Sequence, residues 1–268
     1  MGAYLQGIVN FFTGNWSIIL PLVFFSLYIY WVAPEDGKNW MENYPIPIIF
    51  FFIMLLRVLV PTGATLINLG LKSQITFSSI LGLINSIFVA IFMGIVVFSY
   101  VIRSSPKKQA VGLLEKFYPI FVVGFHLIGT SLLSTHTQTN YVATIYIPGL
   151  ILCVSGITMN IASLWQLKNS FSIMVEVRKL VNTGVYRFIR HPLYTGELIH
   201  LLGVCMLFNN RYSYTFFVVV TTMQLSRAKL EERKLSAHLP EYRIYKQQTG
   251  FIFPRLGTLW AQRKGEKG

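Results

Sequence analysis

Long apolar stretches separated by short polar connections dominate the first 165 residues. They run over 16–33, 46–66, 80–101, 117–134 and 142–165. A helix needs about 20 apolar residues to cross the hydrocarbon core, so each is a predicted membrane span. A polar segment, 166–196, follows. Beyond it lie two shorter apolar stretches, 198–208 and 212–225, separated by the turn-like Asn209, Asn210 and Arg211. Each is short for a lone span, and together they read as a closely paired helical hairpin. The pattern predicts an all-α, polytopic integral membrane protein with about seven transmembrane helices. It also divides the chain into N-terminal membrane helices (1–164), an amphipathic region dense in Tyr, Arg, His and Glu (165–256), and a basic tail (257–268). Chemistry is expected in the second of these, at the membrane surface.

Composition agrees. Of 268 residues, 53% are hydrophobic and only 12% charged, about half the charged fraction of an ordinary soluble domain. The mean hydropathy is +0.54. The net charge is +13, and 16 of the 23 Lys and Arg lie from Lys168 onward. No soluble basic face accompanies that charge, so no nucleic-acid partner is expected. The positive-inside rule and attraction to anionic lipid headgroups explain it instead. Basic residues concentrate in 102–116, 166–196 and the stretch after Leu225. Alternation across seven spans brings all three to one side, predicted to be cytoplasmic. The acidic loop with Glu35, Asp36 and Glu42 falls on that side too. The first apolar stretch has no basic leader and no small-residue cleavage site, so it reads as a targeting span rather than a removable signal. Cys153 and Cys205 sit in apolar runs as packing residues, and two cysteines alone make no four-ligand zinc site. No metal is expected.

The densest group of chemically capable residues is 180–196. Gly184 permits a tight turn. Pro192 fixes its own φ and biases His191 towards an extended conformation. Arg190, His191 and Tyr194 are therefore expected on a non-helical connection entering the hairpin. Two readings fit: a cavity-lining site, or a set of interfacial headgroup anchors. A second group follows the hairpin. On a helix, Arg227 and Glu231 are i,i+4 neighbours, while Glu232 turns away to a cavity or to solvent. Tyr242 and Tyr245 share one helix face and read as packing. Within the apolar region, Arg57, His126, Glu197 and His200 stand out, because an intramembrane ionisable group is a functional candidate. Arg57 either holds an anionic substrate group or snorkels. His126 reads as an interhelix hydrogen bonder, and His200, three residues after Glu197, as a supporting group. No phosphate-binding loop, dinucleotide-type glycine fingerprint, zinc-protease helix or serine-hydrolase elbow occurs.

One string is specific: Gly184, Tyr186, Arg190, His191, Pro192, Tyr194 and Gly196 in the spacing G-x-Y-x-x-x-R-H-P-x-Y-x-G. About 35 residues later come paired Glu231 and Glu232, then Leu235, Tyr242, Tyr245 and Pro254. With Leu180, Val181, Thr183 and the approach Asn169 to Ser172, this region resembles the isoprenylcysteine carboxyl methyltransferase family, which is related to the phospholipid methyltransferases. The resemblance covers about residues 165–256. It implies an S-adenosylmethionine-dependent methyltransferase without a Rossmann domain, its cofactor in a cytoplasmic pocket of the C-terminal region. Leu180, Val181, Gly184, Tyr186, Arg190, His191, Pro192, Tyr194, Glu231 and Glu232 are the implied cofactor-binding residues. Arg227 and Glu231 are the implied catalytic pair. Arg227, with Arg57 second, would meet a lipophilic substrate entering sideways from the bilayer. The implied acceptor is a prenylcysteine-like carboxylate. The stretch from Phe251 to Pro254, and Ala237 and His238 before Tyr242, look more like bacterial members, which implies a bacterial inner membrane.

Other chemistries stay open at this level. A phospholipid amine or a small thiol would need deprotonation, whereas a carboxylate is already nucleophilic. A sterol-type reductase would use NADPH and more spans than this chain supplies. A scaffold that had lost its site would have no reason to keep Arg190, His191, Tyr194, Glu231 and Glu232.

Overall fold

The computed structural model describes residues 45–71, 77–136 and 143–255, and among these every long element is a helix. They are α1 (Pro45–Leu71), α2 (Phe77–Val101), α3 (Gly112–His136), α4 (Ala143–Leu167), α5 (Pro192–Phe208), α6 (Arg211–His238) and α7 (Pro240–Gln248). Four of them are long and apolar enough to cross a membrane, over Ile49–Ile67, Ser79–Val101, Gly112–Thr130 and Thr144–Ser170. They match four of the expected spans. The span expected at 16–33 and the acidic loop after it lie outside the described residues, as does the tail 257–268. The outward faces carry Phe52, Leu59, Ile91, Phe98 and Phe121, all exposed in the protein alone, as lipid-facing surfaces are. Pro61 lies inside α1, where the hydroxyls of Thr62 and Thr65 donate to the carbonyls four residues back.

The two short apolar stretches resolve differently from the expectation. Hydropathy falls after Leu225, yet α6 continues unbroken to His238, because backbone hydrogen bonding does not depend on side-chain polarity. At 28 residues it is about 42 Å long. One helix therefore carries both half of the hairpin and the Arg227–Glu231–Glu232 group. The hairpin turn is built by Asn209 in the left-handed conformation (φ 44°) and by Asn210, which caps α6 through reciprocal bonds with Ser213.

Helices α4 and α5 pack backbone against backbone. Gly149 and Gly156 on one face Gly196 and Gly203 on the other. A Cβ on Gly156 would lie 2.4 Å from the His200 amide nitrogen, and one on Gly203 would lie 2.5 Å from the Gly149 carbonyl oxygen. Small residues at regular spacing allow such approach in lipid, where burial of apolar surface gives little drive for helices to associate. Cys153 is fully buried in this packing, and Cys205 is fully buried on the α6 side of α5, where its thiol donates to the Ser213 carbonyl at 3.1 Å; both are free thiols.

The three basic stretches meet at one end of the bundle, as their charge pattern predicts. Lys107 donates its amide to the Val177 carbonyl at 2.7 Å. Arg103 and Arg178 both pair with Glu176, and Arg178 also donates to the Ser104 carbonyl. Lys234 near the end of α6 donates to the Gln109 carbonyl at 2.5 Å and pairs with Glu115.

Candidate functional site

At this basic end a cleft opens between segment 167–181, the first turn of α5, the later half of α6, and α7. Counted together with the open solvent at its mouth, its empty space is about 860 Å³. Its apolar wall is Leu167, Phe171, Met174 and Leu193, which continue into the core formed with Phe50, Phe51 and Met54 of α1. Its far end is formed by Leu180, Val181, Tyr186, Tyr242 and Tyr245.

The turn that leads into α5 follows from its residues. Gly184 has φ +57°, which favours glycine. It also lies against the Gln166 amide, where a Cβ would sit at 2.3 Å. Gln166 accepts from the Val185 amide at 2.9 Å. A short 3-10 turn, Gly184–Arg187, then turns Tyr186 inward, and the Tyr245 hydroxyl donates to its carbonyl at 2.6 Å. His191 is the N-cap of α5 and Pro192 its first residue, where the missing N–H costs nothing. Arg190 and His191 are thus on non-helical backbone, as expected. Tyr194 is not: it stands on the first turn of α5, because Pro192 starts the helix.

Arg227 is the central charge. It is buried at 3% exposure and lines the cleft. One terminal nitrogen donates to the Ile173 carbonyl at 2.8 Å, and the guanidinium lies 5.0 Å over the Tyr194 ring. Its Nε is 3.8 Å from Glu231 and has no hydrogen-bond partner among the described residues. Burial works against this charge, but the Tyr194 hydroxyl, Glu231 and Glu197 outweigh it and hold the guanidinium above its ordinary pKa. Glu231 accepts from the Tyr194 hydroxyl and keeps part of its carboxylate open to the cleft. Arg227, Tyr194 and Glu231 thus form one cleft-facing unit, with the i,i+4 relation read from the sequence.

Glu232 points elsewhere, neither into the cleft nor to solvent. It accepts from Arg190 Nε at 2.5 Å, from Lys246 at 2.8 Å, and lies 3.4 Å from His191 Nε2. Burial would raise its carboxyl, but His191, Lys246 and Arg190 together hold it well below the usual carboxylate range. Arg190 also donates to the Lys246 carbonyl at 3.0 Å and to that of Thr249. His191 stacks on Tyr194 with ring centroids 5.4 Å apart. The backbone finishes the fastening: the Arg190 amide donates to the Gly250 carbonyl at 2.8 Å and that of His191 to Phe251 at 3.2 Å. Residues 249–252 form a strap holding the entry of α5 to the end of α7.

Of the candidates, Leu180, Val181, Tyr186, Arg190, His191, Tyr194, Arg227 and Glu231 line the cleft. Gly184 and Pro192 shape it from behind, and Glu232 is a fastening hub. Arg57 is not brought to it. It stands mid-way along α1, half-buried, and does not line the cleft. Tyr242 and Tyr245, read as packing, pack and also line the cleft; burial pushes the Tyr245 phenol up to about 12. The sequence reading missed Gln166 and Glu176. Glu197, noted only as intramembrane, accepts from Gln224 at 2.5 Å.

Residues 144–241 match the family model described as phospholipid methyltransferase. The Protein-S-isoprenylcysteine O-methyltransferase of Saccharomyces cerevisiae is 32% identical over 113 residues, which cover 40% of this chain and 47% of that protein. The cobalt-zinc-cadmium resistance protein CzcN of Cupriavidus metallidurans is 32% identical over 78 residues, 29% of this chain and 36% of that protein. The chain spans less than half the length of the curated relatives it matches. The matched segment begins at α4 and ends in α7, so it contains most of the cleft, and it bears out the resemblance read from the sequence.

Proposed function

We propose, on the premise that residues 144–241 are of the phospholipid methyltransferase family, that this integral membrane protein is an S-adenosylmethionine-dependent methyltransferase. Its acceptor is the carboxylate of a prenylcysteine-like lipid. The observation that carries the reading is Arg227: a buried guanidinium lining a cleft, with an Nε that has no hydrogen-bond partner among the described residues. A buried donor left without an acceptor is costly, and an acceptor carboxylate would satisfy it.

The cleft fits the donor in chemistry. Glu231 offers an anion to an ammonium or sulfonium. The slot between Leu180, Val181 and Tyr242 suits a flat adenine, while Arg190 and His191 border a carboxylate. When bound, S-adenosylmethionine supplies an electrophilic methyl: the acceptor oxygen forms the new C–O bond and the S–C pair returns to sulfur. No proton moves, so the chain needs no general base. Its residues orient and exclude water. Arg227 aligns the acceptor carboxylate. Tyr194 fixes Glu231 through its hydroxyl. The strap and the Glu232 hub hold the cleft's wall, and Leu167, Phe171, Met174 and Leu193 accept the lipid chain from the bilayer. The basic end faces the cytoplasm under the positive-inside rule.

A second reading, transfer to a phospholipid amine, draws on the wording of the matched family. It would require Glu231 to take a proton from the amine. The test is to incubate the purified protein with methyl-labelled S-adenosylmethionine and farnesylcysteine. Base-labile methyl ester is the expected product. Label in a base-stable, lipid-soluble amine instead would overturn the carboxylate acceptor. Arg227→Ala is expected to lower kcat/KM for the carboxylate by roughly 100-fold while donor affinity changes little, since it removes a charge-assisted contact to the acceptor.

A further inference from the structure

The outer side of the strap carries aromatic rings to which the reaction above gives no role. Phe251 turns inward, its ring edge-on to His191 with centroids 5.0 Å apart. Phe253, two residues on, is 73% exposed, and Phe188 beside the strap is exposed as well. The two phenylalanines belong to one strip. The Phe188 carbonyl accepts from the Gly250 amide at 3.1 Å, and Gly250 lies hard against the Phe253 carbonyl. Each ring has an exposed arginine within two residues of it in the chain. The Arg187 guanidinium stands 5.6 Å from the centre of the Phe188 ring, and Arg255 donates to the Gln247 carbonyl near the end of α7.

The level of this strip relative to the bilayer follows from α4. That helix is apolar enough to span over Thr144–Ser170. Near its basic end Trp165 is 59% exposed, and exposed Lys168 follows three residues later. An exposed tryptophan at the end of a span marks the headgroup level. Gln166, the next residue, accepts from the Val185 amide at 2.9 Å and packs against Gly184. The turn Gly184–Arg187 is thus fixed at the level of Trp165, and Phe188 follows it directly. Backbone bonds from the strap to Phe188, Arg190 and His191 keep Phe253 close to that level. Aromatic rings there settle at the boundary of headgroup and acyl chain, and guanidiniums pair with lipid phosphates.

We propose that Arg187, Phe188, Phe253 and Arg255 form an interfacial docking face whose partner is the anionic headgroup layer of the bilayer. Two rings, each with a cation beside it, match a surface that is apolar below and negatively charged above. The strap is then held from both sides: by the amides of Arg190 and His191 within, and by lipid without. Such docking is independent of which acceptor is methylated.

The test reads depth directly. Phe253→Cys and Phe188→Cys, both at exposed positions, are spin-labelled in the full chain and reconstituted into phosphatidylcholine vesicles with or without phosphatidylglycerol. Cys153 and Cys205 are fully buried, so labelled wild type gives a low background. Exposed Ala237→Cys, ten residues beyond Arg227 and about 15 Å further along α6, is the water-exposed reference. With phosphatidylglycerol, the labels at both phenylalanine positions are expected to collide with oxygen and to be shielded from a water-soluble nickel chelate, the reverse of position 237. Without phosphatidylglycerol, collision with the nickel chelate is expected to rise at least about fivefold, the partitioning that one arginine adds at an anionic surface. Adding Arg187→Gln to Phe253→Cys is expected to raise it by a similar factor in the anionic vesicles. Nickel access equal to that of position 237 at both sites overturns the docking and points to a soluble partner instead. Shielding indifferent to phosphatidylglycerol and to Arg187→Gln overturns it too, because the headgroup charge then plays no part.

Discussion

Helix α5 is held in opposite ways along its two long sides. Towards α4 it presents Gly196 and Gly203, and the two backbones touch through glycines spaced seven residues apart. Towards α6 it presents Tyr194 and Glu197, and the seam is made of side chains: the Tyr194 hydroxyl on Glu231, and Gln224 on Glu197. The first side leaves no room for anything but protein. The second is wide enough at its polar end to open into the cleft. A membrane helix held by contact alone on one face can therefore carry unsatisfied chemistry on the other. The side chains of a reactive seam need a fixed backbone behind them.

The two sides are expected to break differently. Gly156→Leu has the largest effect. It drives a side chain into the His200 amide and the Gly196 carbonyl, which are backbone and cannot swing away. The cost lies at or beyond the upper end of the roughly 1–3 kcal/mol usual for overpacking. Loss of the monodisperse folded species in detergent, and of S-adenosylhomocysteine stabilisation with it, would be the readout. Full retention of both would mean the α4–α5 contact is looser than described.

Glu232→Gln comes next. It takes the anion from buried Arg190 but keeps an acceptor, and is expected to cost about 2–3 kcal/mol at neutral pH. Because the folded-state pKa of Glu232 lies below its ordinary 4.5, its contribution is fully present above that value. It is lost only as pH falls through the depressed folded value. Thermal unfolding of wild type and variant should therefore differ by a constant amount from pH 8 to pH 5 and converge in stronger acid. A gap that closes near neutrality would overturn this assignment to Glu232.

Tyr194→Phe is the mildest and sharpens the reactive side. The ring under Arg227 stays, and only the bond to Glu231 is lost. Methyl transfer is expected to drop about 3- to 10-fold in kcat/KM, with unfolding temperature nearly unchanged. A loss as large as that of Arg227→Ala would make the hydroxyl a reacting group rather than a support for Glu231.

Much of the local chemistry was legible in the sequence: the tight turn at Gly184, the Asn209–Asn210 turn and the Arg227–Glu231 pair all follow from residues a few positions apart. The start of α5 at Pro192, which puts Tyr194 on the helix, was not. What periodicity does not encode is which distant polar groups meet. The sequence leaves Glu232 open to cavity or solvent, because its partner Arg190 lies 42 residues earlier. Glu176 gains meaning only when the loop after α2 brings Arg103 beside it. Arg57 drew attention because intramembrane charge is often functional, yet the neighbours of α1 in the core are Phe171 and Met174 rather than the cleft's charges. The glycines of α4 and α5 were visible as residues, but their close approach appears only when both helices are laid together.

The strap at 249–252 also has a consequence for how the protein is made. It follows α6 and α7 in chain order, and its carbonyls receive the amides of Arg190 and His191. During synthesis the helices can enter the bilayer while the cleft still lacks one of its walls. Ligand binding is thus deferred until residue 252 has cleared the ribosome, and a nascent chain arrested at the end of α6 would be inserted but inert.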